Sequence, residues 1–310
     1  MTVNFFTTTF GILTRTLKLG FGLVPLLGFV IQLHARDTYY SLLNLALFWR
    51  PRRPGMVIAQ GKPGFGGMWP EYIAPSASDS RSPCPGLNAL ANHGILPRDG
   101  KKLTYKQMSQ AIQHAFNLSP ALGDQLTGSA YLLDQGRGWI NLHDLNTLNI
   151  VQHDASFTRP DIAFCPDQSY PHAELVDRLL KASSNGTELS LEDWAYFSGL
   201  RRAECKASNG QYSMTYSFIH KFFGSGNAAL LYSLFGGRVN DLEIFLKEER
   251  FPDGWEPRNR EAFGHTIIQA QKTSLEIEFN INENQELRPG DELLDQRKPN
   301  YVAVGKLISV

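Results

Sequence analysis

The chain is short of charge and of cysteine, and it has no apolar run that reads plainly as a membrane span. Only 19% of its 310 residues are charged, and 30 lysines and arginines are balanced by 30 aspartates and glutamates. Nucleic acid as a partner would show as a basic excess or stripe, and neither is present. There is no internal repeat and no low-complexity tract. What remains is an ordinary globular balance, 42% hydrophobic, in a chain long enough to bury a sizeable core. Glycine and proline are dense between residues 50 and 100, which points to long ordered loops there.

The first fifty residues read as a separate unit. Leu19 to Leu33 is uncharged, preceded by Arg15 and Lys18 and followed by His34 and Arg36. A second apolar patch, Tyr39 to Trp49, precedes Arg50-Pro51-Arg52-Arg53-Pro54. A clear small-residue cleavage site is missing after the apolar core, and about 20 apolar residues are needed to span a bilayer. The expectation is a membrane-associated N-terminal anchor, lying in or crossing the bilayer, with secretion after signal cleavage as the alternative.

The densest signal is Ser82-Pro83-Cys84-Pro85-Gly86-Leu87-Asn88-Ala89-Leu90-Ala91-Asn92-His93-Gly94. Pro85 suits the first turn of a helix, where its missing N–H costs nothing, and Gly94 suits a left-handed C-terminal cap. Cys84 then occupies the N-cap, with the N–H groups of Gly86 and Leu87 aimed at its sulfur. Helix-end potential favours a thiolate there. Such a thiolate serves as a nucleophile or as a soft metal ligand; a buried inert cysteine is the plain alternative. His93 and Arg98 read as solvated loop residues.

Beyond residue 100 the pattern is mainly helical. Thr104 caps an expected helix from Tyr105 to Phe116, and Ser190 with Asp193 opens another from Leu191 to Arg202. Ala173 to Ala182, Ala228 to Phe235, Asp241 to Arg250 and Pro257 to Lys272 complete the expected set. In the tail, Leu275, Ile277, Phe279 and Ile281 alternate, and Tyr301 to Val310 is also strand-like. The expected fold is mainly α. Its divisions are an N-terminal segment 1–50, a helical domain 51–270 and a tail 271–310 forming a small β-hairpin.

The Pro83-Cys84-Pro85 run resembles the proximal signature of the haem-thiolate peroxidases, the chloroperoxidase and unspecific peroxygenase family. Gln152-His153-Asp154-Ala155-Ser156 is similar to that family's distal Glu-His-Asp-Ala-Ser motif, in the form of its shorter members. Asp144-Leu145-Asn146 and the stretch from Phe245 to Trp255 also resemble family sequence, so the likeness covers roughly residues 65 to 258. It implies a helical haem domain, haem b with Cys84 as axial iron ligand, hydrogen peroxide as oxidant and a small apolar organic substrate. Thiolate ligation favours cleavage of a bound O–O bond. By resemblance His153 lies on the distal side, with Asp154 fixing the imidazole through a ring N–H. The chain also looks similar to peroxidases encoded with fungal mycotoxin pathways.

Two departures from the family pattern stand out. A divalent cation near a haem propionate is held in the family by the first residue and the serine of the distal motif. Those positions are Gln152 and Ser156 here, and a neutral amide replaces a charged oxygen ligand. The family's distal glutamate aligns with Asn227 in Gly224-Ser225-Gly226-Asn227-Ala228-Ala229, and a carboxamide does not exchange protons at neutral pH. Asn227 also reads as a helix N-cap, and Glu192 and Glu204 as helix-surface residues. Hence a second reading: a haem-binding protein with little peroxidase turnover, acting non-oxidatively or as an accessory partner. Since the ligand cysteine must stay free, Cys165 and Cys205 are left as a disulfide or as two buried thiols.

Overall fold

The computed structural model describes residues 28–212 and 218–291. Among these residues nine helices carry the fold: α1 (28–46), α2 (Pro85–Asn92), α3 (Tyr105–Phe116), α4 (Pro120–Gly128), α5 (Ala173–Lys181), α6 (Leu191–Ser208), α7 (Phe218–Phe235), α8 (Val239–Glu248) and α9 (Ile267–Phe279). The only sheet among the described residues is a two-stranded antiparallel ribbon, β1 (Leu103–Thr104) with β2 (Trp139–Ile140), Leu103 opposite Ile140. The mainly helical class expected from the sequence is the class observed.

Local chemistry sets the helix starts. Thr104 and Gln107 form a reciprocal capping box at α3, with Thr104 Oγ1 accepting from the Gln107 N–H at 3.2 Å. Ser190 and Asp193 do the same at α6, the shorter aspartate serving where glutamate is usual. At α4, Ser119 caps and Pro120 takes the first position. Helix α6 is buried nearly all round, with Trp194 and Phe197 fully enclosed, and so forms the central helix of the core. Helix α7 packs along α9, and both meet α6; α3 pairs with α4, and α5 with α8.

Two expectations fail in the last third. Leu275, Ile277 and Phe279 belong to helix α9, not to a strand. The buried positions are Ile267, Ala270, Ser274 and Ile277, three and four residues apart, whereas Leu275 and Phe279 are exposed. The alternation was a by-product of one core position between two solvent-facing ones. The strand expected over Tyr301 to Val310 lies outside the described residues. The helix expected from Pro257 starts only at Ile267, because Gly264 holds φ +82° and a Cβ there would lie 2.5 Å from the Leu118 carbonyl carbon.

Among the described residues no helix is long and apolar enough to cross a membrane. The apolar run from Leu19 lies mostly outside them, and its end opens α1. Helix α1 does not project from the body. Leu33, Asp37, Tyr40 and Asn44 face inward, and the Asp37 carboxylate accepts the N–H groups of Ile267 and Ile268 at 2.7 and 3.0 Å. That arrangement caps α9 with a negative charge, as the dipole favours.

Candidate active site

Cys84 stands at the N-cap of α2 with extended backbone (φ −87°, ψ 108°), Pro85 begins the helix, and Gly94 after its end has φ +68°. The loop before it is clamped from beneath. The Asn88 side chain accepts the Ser82 N–H at 2.9 Å and donates to the Ser82 carbonyl at 2.8 Å. Ser82 Oγ in turn receives the Cys84 N–H at 3.2 Å. Asn88 Nδ2 also donates to the Glu249 carboxylate at 3.0 and 2.9 Å. Glu249 lies just past α8 in left-handed conformation (φ +50°) and forms a buried ion pair with Arg159 at 2.5 Å.

The Cys84 side chain is exposed to the cavity it lines, yet it is densely surrounded by protein. Burial pushes the thiol above its ordinary value, against the pull of the Leu87 and Gly86 N–H groups and the Arg159 charge. The helix end alone therefore does not deliver the thiolate expected from sequence. A bound cation at the sulfur would drive the proton off.

The cavity measures about 290 Å³. Helix α2 and the residue pair before it supply the floor with Pro83, Cys84 and Pro85; α3 gives Met108, Ile112 and Phe116; α7 gives Leu230, Leu231 and Leu234. Gln152, His153, Ser156 and Asn227 line it as well, so both sequence motifs reach one space. Asp154 does not line it. Its carboxylate turns away to the Ile162 N–H at 3.0 Å and the Asn209 amide at 2.8 Å.

His153 is oriented differently from the expectation. Its Nδ1 lies 2.7 Å from the backbone carbonyl of Asp154, not from the carboxylate, so Nδ1 carries the proton and donates. Nε2 is then the ring's acceptor and receives the Asn227 amide at 3.1 Å. Asn227 sits inside α7, nine residues past its start, which rules out an N-cap role. The turn that presents the motif is held left-handed at Ala155 (φ +60°), a costly conformation for alanine. The Ala155 N–H donates to Asp161 at 3.1 Å, and Arg201 Nε donates to the Ser156 carbonyl at 2.9 Å. Arg201 pairs with Asp161 and Glu204, and Arg178 pairs with Glu204, so Glu204 is a buried anchor and not a surface residue.

Other candidates raised by the sequence fall outside the cavity. His93 is buried and structural: Nδ1 donates to the Pro70 carbonyl at 2.6 Å and Nε2 accepts the Phe251 N–H at 3.1 Å. Arg98 donates to the Asn92 carbonyl at 2.5 Å. Cys165 and Cys205 are free thiols, and Cys205 donates to Asp161 at 3.0 Å. Sequence reasoning missed Asn88, Arg159, Asp161, Arg201 and Glu249. Asn88 and Glu249 stood within stretches already singled out, but the Asp161–Arg201 pair spans 40 residues without a local signature.

The donor set discriminates between possible metals. No group of three or more His, Cys, Asp or Glu among the described residues could hold a metal ion. A single thiol facing an apolar cavity fits a metal that brings its other ligands with it in a flat apolar macrocycle, as haem does. The residues therefore fit haem. They do not fit a tightly held hard cation beside Gln152. The amide NH2 of that residue donates to Gln168 Oε1 at 2.7 Å, because Gln168 uses its own NH2 on the carbonyls of Pro160 and Cys165. The remaining Gln152 Oε1 is a neutral acceptor without a partner among the described residues.

Comparison with known proteins gives the class. The family model described as "Peroxidase, family 2" matches residues 70–260, and the chain belongs to that family of haem-thiolate peroxidases. It is 34% identical over 97 residues to chloroperoxidase of Leptoxyphium fumago, across 29% of this chain and 26% of that one. It is 52% identical over 61 residues to the dothistromin biosynthesis peroxidase of Dothistroma septosporum, across 19% and 14%. An aromatic peroxygenase of Coprinellus radians is 28% identical over 229 residues, across 59% of this chain and 86% of that protein. The match to the first two spans about a quarter of their length or less.

Proposed function

We propose that the protein is a peroxide-dependent haem-thiolate oxidoreductase acting on a small apolar organic substrate, with Cys84 as the residue that would hold the iron of haem b. The observation that carries this reading is the lone thiol of the Pro83-Cys84-Pro85 loop at the floor of an apolar cavity, with His153 and Asn227 in the same cavity. Haem with a thiolate ligand supplies cleavage of the peroxide O–O bond and oxidation of the substrate. The chain positions, excludes water and handles protons.

Cys84 gives up its proton on loading, and the Ser82–Asn88 clamp holds its backbone so that the sulfur faces the cavity. Of the distal pair, the Asn227 amide orients and His153 Nε2 exchanges the proton, because a carboxamide does not exchange protons at neutral pH. Asp154 acts through the turn: it ties Ile162 and Asn209 behind the imidazole. Ser156 and Pro83 complete the cavity rim. The apolar walls select an apolar substrate, and the likeness to a dothistromin biosynthesis peroxidase supports a place in fungal secondary metabolism.

The haem-loaded protein should oxidise an apolar aromatic probe when hydrogen peroxide is added, and Cys84→Ala should abolish this. Asn227→Glu should speed peroxide consumption on the order of 100-fold by restoring a carboxyl acid–base group. The second reading, a haem protein without efficient turnover, rests on Asn227 standing where the family carries glutamate. A loaded wild type that leaves both peroxide and probe untouched would favour it.

A further inference from the structure

Helix α1 has two opposite faces, and among the described residues only one is covered. Leu33, Asp37, Tyr40 and Asn44 recur at four, three and four residues and fix the helix to the body. Asp37 caps α9, Asn44 bonds the Gly264 carbonyl at 2.9 Å and the Phe263 N–H at 2.9 Å, and Arg36 pairs with Asp124 at 2.9 Å. On the far side, Ile31, Ala35, Thr38, Leu42 and Leu45 recur at four, three, four and three residues, and all are exposed. Trp49 continues the stripe one step past the helix end. Ile31 and Leu45 are each 68% exposed, and Phe48 beside Trp49 is 74% exposed. No lysine, arginine, aspartate or glutamate falls on this stripe; Arg36 lies off it, and exposed His34 stands at its edge.

We propose that this stripe is a docking surface for an anionic lipid bilayer, with α1 lying in the plane of the interface and not crossing it. Three features choose lipid as the occupant. The stripe ends in the aromatic pair Phe48–Trp49, in contact at 5.4 Å between ring centroids, and such rings favour the headgroup level. Immediately beyond stand Arg50, Arg52 and Arg53, of which Arg50 and Arg53 are exposed and able to meet anionic headgroups. In sequence, Leu19 to Leu27 leads into α1 without a charge, so the apolar stretch of chain extends beyond the stripe itself. The docking bonds of Asp37, Asn44 and Arg36 hold the axis against the protein, so the helix meets a bilayer sideways.

The position of the surface has a functional consequence, which rests on the peroxidase reading above. Phe29, at the start of α1, lies beside Gly128, whose added Cβ would be 3.6 Å from the Phe29 ring. The adjoining residues Leu126, Thr127, Ser129 and Ala130 line the cavity. Exposed Tyr131 and Leu132 extend the apolar surface from there. A bilayer held by α1 would therefore lie close to the segment that forms this part of the cavity wall, where an apolar substrate would concentrate.

Flotation of the full chain with phosphatidylcholine vesicles containing or lacking phosphatidylserine tests the proposal. The wild type should float with the serine-containing vesicles. Leu42→Glu/Leu45→Glu should bind them at least about tenfold more weakly, since each replaced leucine removes an apolar insertion. Arg50→Glu/Arg53→Glu should lose about tenfold on anionic vesicles alone, and added salt should mimic it. Both variants change exposed side chains and should keep the wild-type melting temperature. Unchanged flotation in Leu42→Glu/Leu45→Glu would overturn the proposal, because another segment would then carry the binding. A wild type that stays with the soluble fraction as a dimer, broken by the same substitutions, would overturn it in favour of a second copy of the chain. Flotation needs no peroxide turnover, so its outcome separates this proposal from the functional reading.

Discussion

Replacing Glu249 by glutamine should destabilise the fold and loosen the cysteine loop together. The carboxylate is 3% exposed and accepts from Arg159 at 2.5 Å and from Asn88 at 3.0 and 2.9 Å. The Glu249→Gln side chain would keep the volume and one acceptor oxygen but remove the charge. Arg159 would then stay buried with neutral acceptors only: the Ser82 and Gln168 carbonyls and Thr158 Oγ1 at 3.3, 3.1 and 2.8 Å. Breaking a buried pair by deleting one partner costs about 3–5 kcal/mol, and these remaining acceptors place the expectation at the lower end, about 3 kcal/mol. With a urea dependence of about 3 kcal/mol per molar, the unfolding midpoint should fall by about 1 M. The double variant Arg159→Met/Glu249→Gln should recover much of the loss, because the stranded charge is gone. Haem retention should weaken in the single variant, since Asn88 loses the group that fixes it under Ser82. A midpoint within about 0.2 M of wild type, well inside the shift expected from the buried-pair cost, would refute the reasoning by showing that the pair is not isolated from solvent.

Other expectations follow from single contacts. Burial holds the His93 imidazole below the ordinary histidine value of 6.5, so the native state favours the neutral ring. Its stabilising contribution is complete above the ordinary value and is lost as pH falls through the lowered folded value; urea midpoints of wild type minus His93→Gln should therefore decline on acidification, and a flat difference would contradict this. Asp37→Ala should cost about 2 kcal/mol in thermal or urea unfolding, because two N–H groups at the start of α9 lose a buried carboxylate. Gly264→Ala should destabilise by more than a surface change does, as the new Cβ meets the Leu118 backbone at 2.5 Å with φ at +82°; an unchanged melting temperature would count against that backbone geometry.

The parts of the fold legible in sequence were those with local chemistry. Thr104 with Gln107 and Ser190 with Asp193 mark helix starts within a single turn, and both caps form. The Cys84 helix was legible from Pro85 and Gly94 for the same reason. The tail was misread because Leu275, Ile277 and Phe279 satisfy a strand-like alternation over a stretch too short to separate it from the helical period. At the site, the motifs named the residues but not their orientation. That His153 donates to the Asp154 carbonyl and not to its carboxylate depends on the left-handed turn at Ala155. That turn is held by Asp161, Arg201 and Asn209 from beyond the motif, and no short pattern encodes such a contact. The thiol's raised pKa was equally hidden, since helix-end donors are visible in sequence while depth is not.

Iron ligation by the Cys84 sulfur is the central feature of the proposed function. The ferrous–carbon monoxide absorption spectrum of the haem-loaded protein measures that bond most directly. A strongly red-shifted Soret band, present in the wild type and replaced by an ordinary histidine-type band in Cys84→His, is the predicted result. A histidine-type band in the wild type, unchanged by Cys84→Ala, would contradict the assignment.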